Sequence, residues 1–125
     1  MTPTTPHTRP VFSSVFKEAL FDGQVHIVTG GGSGIGRCVA HELASLGARV
    51  VLLGRKPEKL QRVQAEIAAA GGLAEHAALD IRDEPAVQSA VRELVAKHGR
   101  IHGLVNNAGG QFPSPLADIT KRGFE

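Results

Sequence analysis

Several residue types that support common functions are rare or missing in this sequence. It has a single cysteine, Cys38, and neither tryptophan nor tyrosine. One cysteine cannot form an internal disulfide, and such usage is typical of a reducing compartment, so we expect a cytoplasmic protein. Cys38 lies just inside a predicted helix, where we interpret it as a small packed side chain rather than a nucleophile.

The chain also lacks a long apolar run and a strong excess of charge of either sign. No stretch is long enough to cross a membrane, and the formal net charge of +2 is spread along the sequence. These features give no support to a membrane or nucleic-acid partner. With 125 residues, the chain is one domain at most, and it is long enough to bury a hydrophobic core.

The N-terminal residues differ in composition from the rest. Residues 1–10 contain three prolines and four threonines and show no apolar periodicity. We predict that they form a mobile leader and that residues 11–125 form the domain. Residues 11–20 are expected to form a short helix or a lead-in that packs phenylalanines against the domain, namely Phe12, Phe16 and Phe21. Asp22-Gly23 predicts a turn.

A glycine-rich stretch, Thr29 to Gly36, lies between an apolar run and an amphipathic segment. The strict pattern G-x-G-x-x-G fails because Ile35 occupies the third glycine position, but the stretch matches T-G-x-x-x-G-x-G. A strand, a glycine turn and a helix in this order form the dinucleotide-binding element of a Rossmann unit. Glycines let the backbone approach a pyrophosphate, and the helix N-terminus attracts anions. Taken alone, the glycines would indicate only a flexible loop.

Apolar residues along the chain alternate between continuous runs and helical spacing. The runs predict strands at residues 25–28, 49–53, 73–79 and 101–105. The helical spacing predicts three helices, which end near Gly47, Gly71 and Gly99, with Pro57 in the first turn of the second and Asp83 as N-cap of the third. Their predicted buried residues are Ile35, Val39, Leu43 and Leu46, then Leu60, Val63, Ile67 and Ala70, then Val87, Ala90, Val91, Leu94 and Val95.

This alternation predicts an α/β fold with a Rossmann-type doubly wound parallel sheet. Right-handed crossovers give the strand order 3-2-1-4. Pro113 and Pro115 predict a loop, and residues 117–125 begin a further helix. We therefore expect a sheet truncated after its fourth strand, whose outer edge would have unpaired backbone groups.

The end of the second strand indicates the cofactor. In a Rossmann unit, an acidic residue at this place hydrogen-bonds the adenosine ribose and favours NAD. Here Gly54 occupies it and is followed by Arg55 and Lys56, which could hold a 2′-phosphate. The sequence therefore favours NADP over NAD. The alternative is that both basic residues are simply solvated at a helix start.

A second motif, Asn106-Asn107-Ala108-Gly109, follows the predicted fourth strand. Alone it would indicate a turn. Together with the Thr29–Gly36 motif, it makes residues 20–125 resemble the short-chain dehydrogenase/reductase family. In that family the first Asn of this motif helps to hold the sheet, which is the role that the resemblance implies for Asn106.

The resemblance also implies which residues bind the cofactor. The glycine turn would hold the pyrophosphate, Asp80 and Ile81 would contact the adenine, and the residues after Asn106 would lie along the nicotinamide ribose. The alternative for Asp80 is a helix or turn cap. Together with the two basic residues, the predicted cofactor-binding set is Gly30, Ser33, Gly34, Ile35, Gly36, Arg55, Lys56, Asp80, Ile81, Asn107, Ala108 and Gly109.

Residues 105–115 further resemble the branch that contains peroxisomal trans-2-enoyl-CoA reductase, 2,4-dienoyl-CoA reductase and bacterial citronellol dehydrogenase-like proteins. The alternative is an idiosyncratic proline loop. The resemblance implies an NADP(H)-dependent oxidoreductase that reduces an enoyl-CoA or a similar small molecule by hydride transfer, with homo-oligomers expected of a full-length relative. Two other hypotheses stay open: a portion of an alcohol or ketone dehydrogenase, and a non-catalytic truncated nucleotide-binding remnant.

The sequence does not identify a catalytic residue. The Ser and the Tyr-x-x-x-Lys motif of the family would lie after residue 125, and the chain has no tyrosine, so we expect the 125 residues alone to be inactive. Nor is a metal site predicted. His98 and His102 are four residues apart, but Gly99 and a change from helix to strand separate them, so they cannot share a helical face.

Overall fold

Strands and helices alternate along the chain in the computed structural model, which describes residues 13–109 and 116–118. The strands are β1 (Val25–Thr29), β2 (Arg49–Gly54), β3 (Leu73–Ala78) and β4 (Gly103–Val105). The α-helices are α1 (Gly34–Ser45), α2 (Pro57–Ala69) and α3 (Glu84–His98), and Leu116–Asp118 form a short 3₁₀ turn. Within the described ranges, no helix is long and apolar enough to cross a membrane.

The four strands form a parallel sheet in the order β3-β2-β1-β4, which confirms the predicted topology. β1 is fully buried because it lies between β2 and β4, with Val28 opposite both Leu52 and Val105. The continuous apolar runs of β1 and β2 are what a strand covered on both faces requires. All four strands run the same way, so their carboxyl ends meet at one edge of the sheet.

Each face of the sheet has its own hydrophobic layer. On one face, α1 and α2 cover the sheet through Ala40, Ala44, Leu60, Val63 and Ile67, which pack on Val28, Val50 and Leu52. On the other face, Leu94 of α3 packs with Val25, Ile27, Val51 and Leu53. Successive strand residues point to opposite faces, so these two layers use alternate positions of the same strands.

The predicted buried faces of the helices need four corrections. Ile35 is 75% exposed, Val95 is 44% exposed, and Ala70 and Cys38 are also exposed. The buried positions of α1 are Gly36, Ala40, His41 and Ala44, of which Gly36, Ala40 and Ala44 recur every four residues on one face of the helix. These three residues are small, so α1 can pack close to the sheet, and the predicted Val39 and Leu43 are half-buried and pack against the same core.

Several predicted boundaries also shift. β4 begins at Gly103 rather than residue 101, β3 ends at Ala78, and α1 ends at Ser45. The left-handed Gly99 and the N-cap Asp83, which accepts a hydrogen bond from the amide of Ala86, are confirmed as the ends of α3.

The described part of the lead-in, from residue 13 onwards, forms turns rather than a helix. Its Phe21 packs against the core and its amide donates to the carbonyl of Leu46 (2.9 Å), whereas Phe16 is 58% exposed. The predicted turn at Asp22-Gly23 is confirmed. The predicted leader, Phe12, the prolines at 113 and 115, and most of the helix predicted for residues 117–125 lie outside the described residues, so these stay predictions.

Candidate functional site

An open cleft of about 650 Å³ lies where the parallel strands end. Segments that follow all four strands contribute to it, as expected for the ligand crevice of an open α/β sheet. The cleft is lined by Gly30, Gly32, Ser33, Gly54, Arg55, Lys56, Lys59, Leu60, Leu79, Asp80, Ile81, Arg82, Asn107, Ala108 and Gly109.

The glycine turn leads from β1 into α1. Gly30 has a φ of +66° and its amide donates to the carbonyl of Leu53 (2.8 Å), which ties the turn to the neighbouring strand. The first helical hydrogen bond is that from the amide of Arg37 to the carbonyl of Ser33 (3.1 Å). The amides of residues 34–36 precede that bond and have no partner within the helix, so the N-terminus of α1 can bind an anion.

Gly36 allows the turn to fold tightly onto the end of β4. A Cβ at this position would overlap the carbonyl oxygen of Gly30 and lie 2.5 Å from Nδ2 of Asn107. Gly34 has a different reason to be glycine: its φ is +56°, and nothing lies within 4 Å of the place its Cβ would take. One glycine is therefore required by close packing and the other by backbone conformation.

Thr29 joins the two sequence motifs. Its hydroxyl donates to the carbonyl of Val105 (3.2 Å) and accepts from the backbone amides of Asn107 (3.0 Å) and Ala108 (2.9 Å). In return, Nδ2 of Asn107 donates to the carbonyls of Thr29 (3.2 Å) and Gly30 (3.4 Å). The sequence analysis did not predict that Thr29 joins the two motifs, although Thr29 is the first residue of the glycine-rich motif.

The two adjacent asparagines make different contacts within the described residues. The resemblance gave the sheet-holding role to Asn106, but Asn106 is exposed and its side chain makes no hydrogen bond within the described residues. Asn107 holds the two motifs together and also lines the cleft. This position is compatible with the predicted contact between Asn107 and a ligand. The Nδ2 group of Asn107, however, already donates to the carbonyls that hold the glycine turn.

The end of β2 contributes positive charge to the cleft. Arg55 and Lys56 are exposed and line the cleft. Gly54 occupies the position at the end of β2 where an acidic residue would favour NAD. Lys56 is the N-cap of α2, followed by Pro57 in the first turn, and no side chain caps this helix end. The first turn of α2 brings Lys59 and Leu60 to the same cleft, which sequence reasoning missed.

The end of β3 contributes an ion pair. Both carboxylate oxygens of Asp80 accept hydrogen bonds from the Arg82 side chain, the shortest of them from a terminal nitrogen at 2.7 Å, and Oδ1 also accepts from the amide of Arg82 (2.9 Å). These bonds, with a smaller effect of Arg55, hold the pKa of Asp80 well below its usual range. Asp80 is thus an ionised acceptor, and the bond that it accepts from the amide of Arg82, two residues on, also fits the turn cap that was the alternative interpretation.

Most of the predicted cofactor-binding residues meet in this cleft. The exceptions are Gly34, Ile35 and Gly36, which do not line it. Residues that line the cleft without having been predicted are Gly32, Gly54, Lys59, Leu60, Leu79 and Arg82. Four of these, Gly32, Gly54, Leu79 and Arg82, are adjacent to predicted residues in the sequence, but Lys59 and Leu60 reach the cleft only because α2 starts beside the glycine turn.

The two histidines considered as a metal pair make separate contacts. Nε2 of His98 lies 2.8 Å from Oε1 of Glu75, and Nδ1 of His102 accepts a hydrogen bond from the amide of Val25 (3.0 Å). In the part of the chain that the structure describes, no three His, Cys, Asp or Glu residues are grouped so that they could hold a metal ion.

Comparisons with known proteins agree with this geometry. A family model described as short chain dehydrogenase matches residues 24–125. A protein of Bacillus subtilis named probable 2,4-dienoyl-CoA reductase is 35% identical over 99 residues, which is 79% of this chain and 39% of that protein. The solved structure of citronellol catabolism dehydrogenase from Pseudomonas aeruginosa PAO1 is 58% identical, covers 90% of this chain and 46% of that one, and superposes with a TM-score of 0.80.

Two further solved structures hold nicotinamide cofactors. A metagenomic short-chain oxidoreductase in complex with NADP is 48% identical, with a TM-score of 0.73 and coverage of 82% of this chain and 47% of that one. An NAD⁺-bound xylitol dehydrogenase is 35% identical, with a TM-score of 0.73 and coverage of 84% and 41%. The chain thus spans less than half the length of these relatives.

Proposed function

This chain belongs to the short-chain dehydrogenase family, and from that premise we propose that it is the cofactor-binding portion of an NADP(H)-dependent oxidoreductase. The observation that carries the cofactor assignment is the end of β2, where Gly54, Arg55 and Lys56 line the cleft. No carboxylate there would repel a 2′-phosphate, and a guanidinium can bind one bidentately. The NADP complex of a 48% identical oxidoreductase supports the same choice, whereas the NAD⁺-bound relative is less similar at 35%.

The residues of the cleft fit a dinucleotide. The glycine turn and the free amides at the start of α1 would hold the pyrophosphate. Arg55 and Lys56 would hold the 2′-phosphate, Asp80 would accept a hydrogen bond from the adenine, and Ile81 would contact its ring. Residues 107–109 would lie along the nicotinamide ribose. When bound, the cofactor supplies the hydride, and the chain's own residues bind and orient it.

The substrate is proposed from the relatives. A similarity to a protein named as a 2,4-dienoyl-CoA reductase favours reduction of an enoyl-CoA or a similar acyl-CoA. The 58% identity to citronellol catabolism dehydrogenase favours a second candidate, oxidation of an alcohol or reduction of a ketone. Both reactions transfer a hydride to or from the same nicotinamide, so the cleft described above serves either. We further propose that the intact enzyme is a homo-oligomer.

Two measurements test this proposal. Fluorescence titrations of the intact protein with NADPH and NADH should show tighter binding of NADPH, and equal affinities would contradict the cofactor assignment. An assay of NADPH oxidation with enoyl-CoA substrates, run beside NADP⁺ reduction with citronellol, should show turnover in one of the two. Binding of NADPH without turnover of either substrate would favour the non-catalytic remnant.

A further inference from the structure

Four cationic side chains line the cleft, and they differ in their partners. They are Arg55, Lys56, Lys59 and Arg82. Arg82 is paired with Asp80, the only acidic residue among the described lining residues, through a contact of 2.7 Å. The other three form no ion pair with any carboxylate in residues 13–109 or 116–118. The cleft therefore has three cationic side chains near the start of α2 that no ion pair within the described residues neutralises.

The side chain of Lys59 begins beside the glycine turn. A Cβ built on Gly32 would lie 3.0 Å from the Cβ of Lys59, so the start of the lysine stem packs against the turn. Arg55 and Lys56 line the same cleft from the end of β2. A lysine ammonium on its four-carbon stem is a mobile point charge, so it can reach an anion bound between the turn and the end of β2.

The position of Lys59 is electrostatically unfavourable without a ligand. It is the third residue of α2, near the positive end of the helix dipole, and Lys56 is the N-cap of the same helix. Cations near a helix N-terminus are destabilising. The first turn of α2 also holds one acidic residue, Glu58, but neither lysine forms an ion pair within the described residues. An anionic group bound between Ser33 and Arg55 would attract both lysines, and this attraction would offset their repulsion by the positive end of the helix dipole.

We propose that Lys59 is a specificity-determining residue that binds the 2′-phosphate of NADP(H) together with Arg55. This inference rests on the proposed function. The pyrophosphate already has the amides of the glycine turn and of α1, whereas the 2′-phosphate needs side-chain cations at the end of β2. Arg55 presents a planar fork to the phosphate, and Lys59 adds a point charge from the side of the glycine turn. NAD(H) lacks this phosphate, so Lys59 contributes to discrimination between the two cofactors.

The test compares Lys59→Gln with the matched variant Arg62→Gln. Both substitutions remove one positive charge from α2, but Arg62 is exposed and does not line the cleft. The affinities of the intact protein for NADPH, NADH and 2′,5′-ADP are measured. The last of these ligands carries the 2′-phosphate without the nicotinamide, so it reports on the phosphate contact. Since exposed ion pairs are weak, we expect Lys59→Gln to weaken NADPH and 2′,5′-ADP binding about three- to fivefold, and to leave NADH unchanged. Lys59→Arg should retain most of the affinity for 2′,5′-ADP.

The outcomes separate this inference from the proposed function. If the unmutated protein prefers NADPH but Lys59→Gln behaves like Arg62→Gln, the role of Lys59 is wrong and the cofactor assignment stands. An equal loss of NADH affinity would place Lys59 at the pyrophosphate and would also overturn the inference. If the unmutated protein binds NADPH and NADH equally, both proposals fail. Circular dichroism of each variant verifies the fold.

Discussion

The hydroxyl of Thr29 lies 3.0 Å from the backbone nitrogen of Asn107, and the side chain of Asn107 in turn donates to the carbonyl of Thr29. This reciprocal pair links residues separated by 78 positions in the sequence. It fixes the glycine turn after β1 against the segment after β4. The two motifs of the cleft therefore form one unit, and a change in either residue should affect both folding and cofactor binding.

We expect Thr29→Val to destabilise the protein. Valine has nearly the same shape, but it removes the acceptor of two amides at a site where Thr29 is only 7% exposed. A buried amide left without a partner costs about 1–3 kcal/mol, so the two part-buried amides together should cost about 2–6 kcal/mol at most. Urea unfolding should show a loss in this range, accompanied by weaker NADPH binding. Thr29→Ser keeps the hydroxyl and should lose less stability. Equal losses in both variants would show that the methyl group contributes as much as the hydroxyl.

Gly36→Ala and Gly34→Ala should have different consequences. The added methyl at Gly36 overlaps the Gly30 carbonyl and the Asn107 side chain, so the turn must open. We expect NADPH binding to be lost. At Gly34 the methyl meets nothing within 4 Å, and the cost is only that of a left-handed φ, about 1–2 kcal/mol. Titration with NADPH and thermal unfolding measure both effects, and normal binding by Gly36→Ala would mean that the phosphates lie elsewhere.

Arg55→Ala should remove most of the preference for NADPH over NADH. A charge-assisted hydrogen bond to the 2′-phosphate contributes about 1.5–3 kcal/mol, all of which is lost for NADPH and none for NADH. Isothermal titration calorimetry with both cofactors measures the difference. Arg62→Ala provides the control, since Arg62 does not line the cleft. An unchanged NADPH affinity would show that Arg55 is only a solvated residue at a helix start.

Protein stability should fall as the pH is lowered from about 7.5 to about 5.5. Burial and the nearby His102 lower the pKa of His26 below its usual value of 6.5, and burial lowers the pKa of His41 despite Glu66. The unfolded chain therefore binds these protons at higher pH than the folded protein does. The stabilisation is present above pH 6.5 and is lost as the pH falls through the folded-state pKa.

A variant of His26 isolates its share of this pH dependence. Nε2 of His26 lies 2.9 Å from Oε1 of Gln24. The centroid of the His26 ring lies 5.0 Å from the centroid of the Phe21 ring. His26→Gln removes the titrating group, so the slope of the unfolding free energy against pH should become shallower between pH values of about 7.5 and 5.5. Urea titrations at a series of pH values measure the slope. The pKa values of Glu66 and Glu75 are lowered from 4.5, so their effects appear at lower pH. An unchanged slope would assign the effect to His41.

The periodicity of the sequence was sufficient to predict the order of strands and helices and the parallel sheet. β1 and β2 are nearly continuous apolar runs, which are typical of strands covered on both faces, and Asp83 and Gly99 marked the ends of α3 correctly. The segments of the cleft were also predictable, because parallel strands place their carboxyl ends at one edge. Arg55, Asp80 and Ala108, which come from three different segments, all line the predicted site.

Spacing along one helix did not reveal how closely that helix packs. Ile35 has the correct period for a core residue but is 75% exposed, whereas Gly36, Ala40 and Ala44 are buried and Val39 and Leu43 pack against the same core. A hydrophobic pattern measures the preference of one element for burial, whereas the contact face depends on the shape of the neighbouring element.

The sequence by itself determined the fold class, the glycine turn and the basic end of β2, since each depends on residues close together along the chain. Only the tertiary structure decided that Thr29 binds Asn107, that Arg82 neutralises Asp80 in the cleft wall, and that the Cβ of Lys59 packs against Gly32. The second of these contacts depends on the side-chain conformation of Arg82. The first and third join separate elements, and their distances are set by how strands and helices pack together, which no local pattern contains.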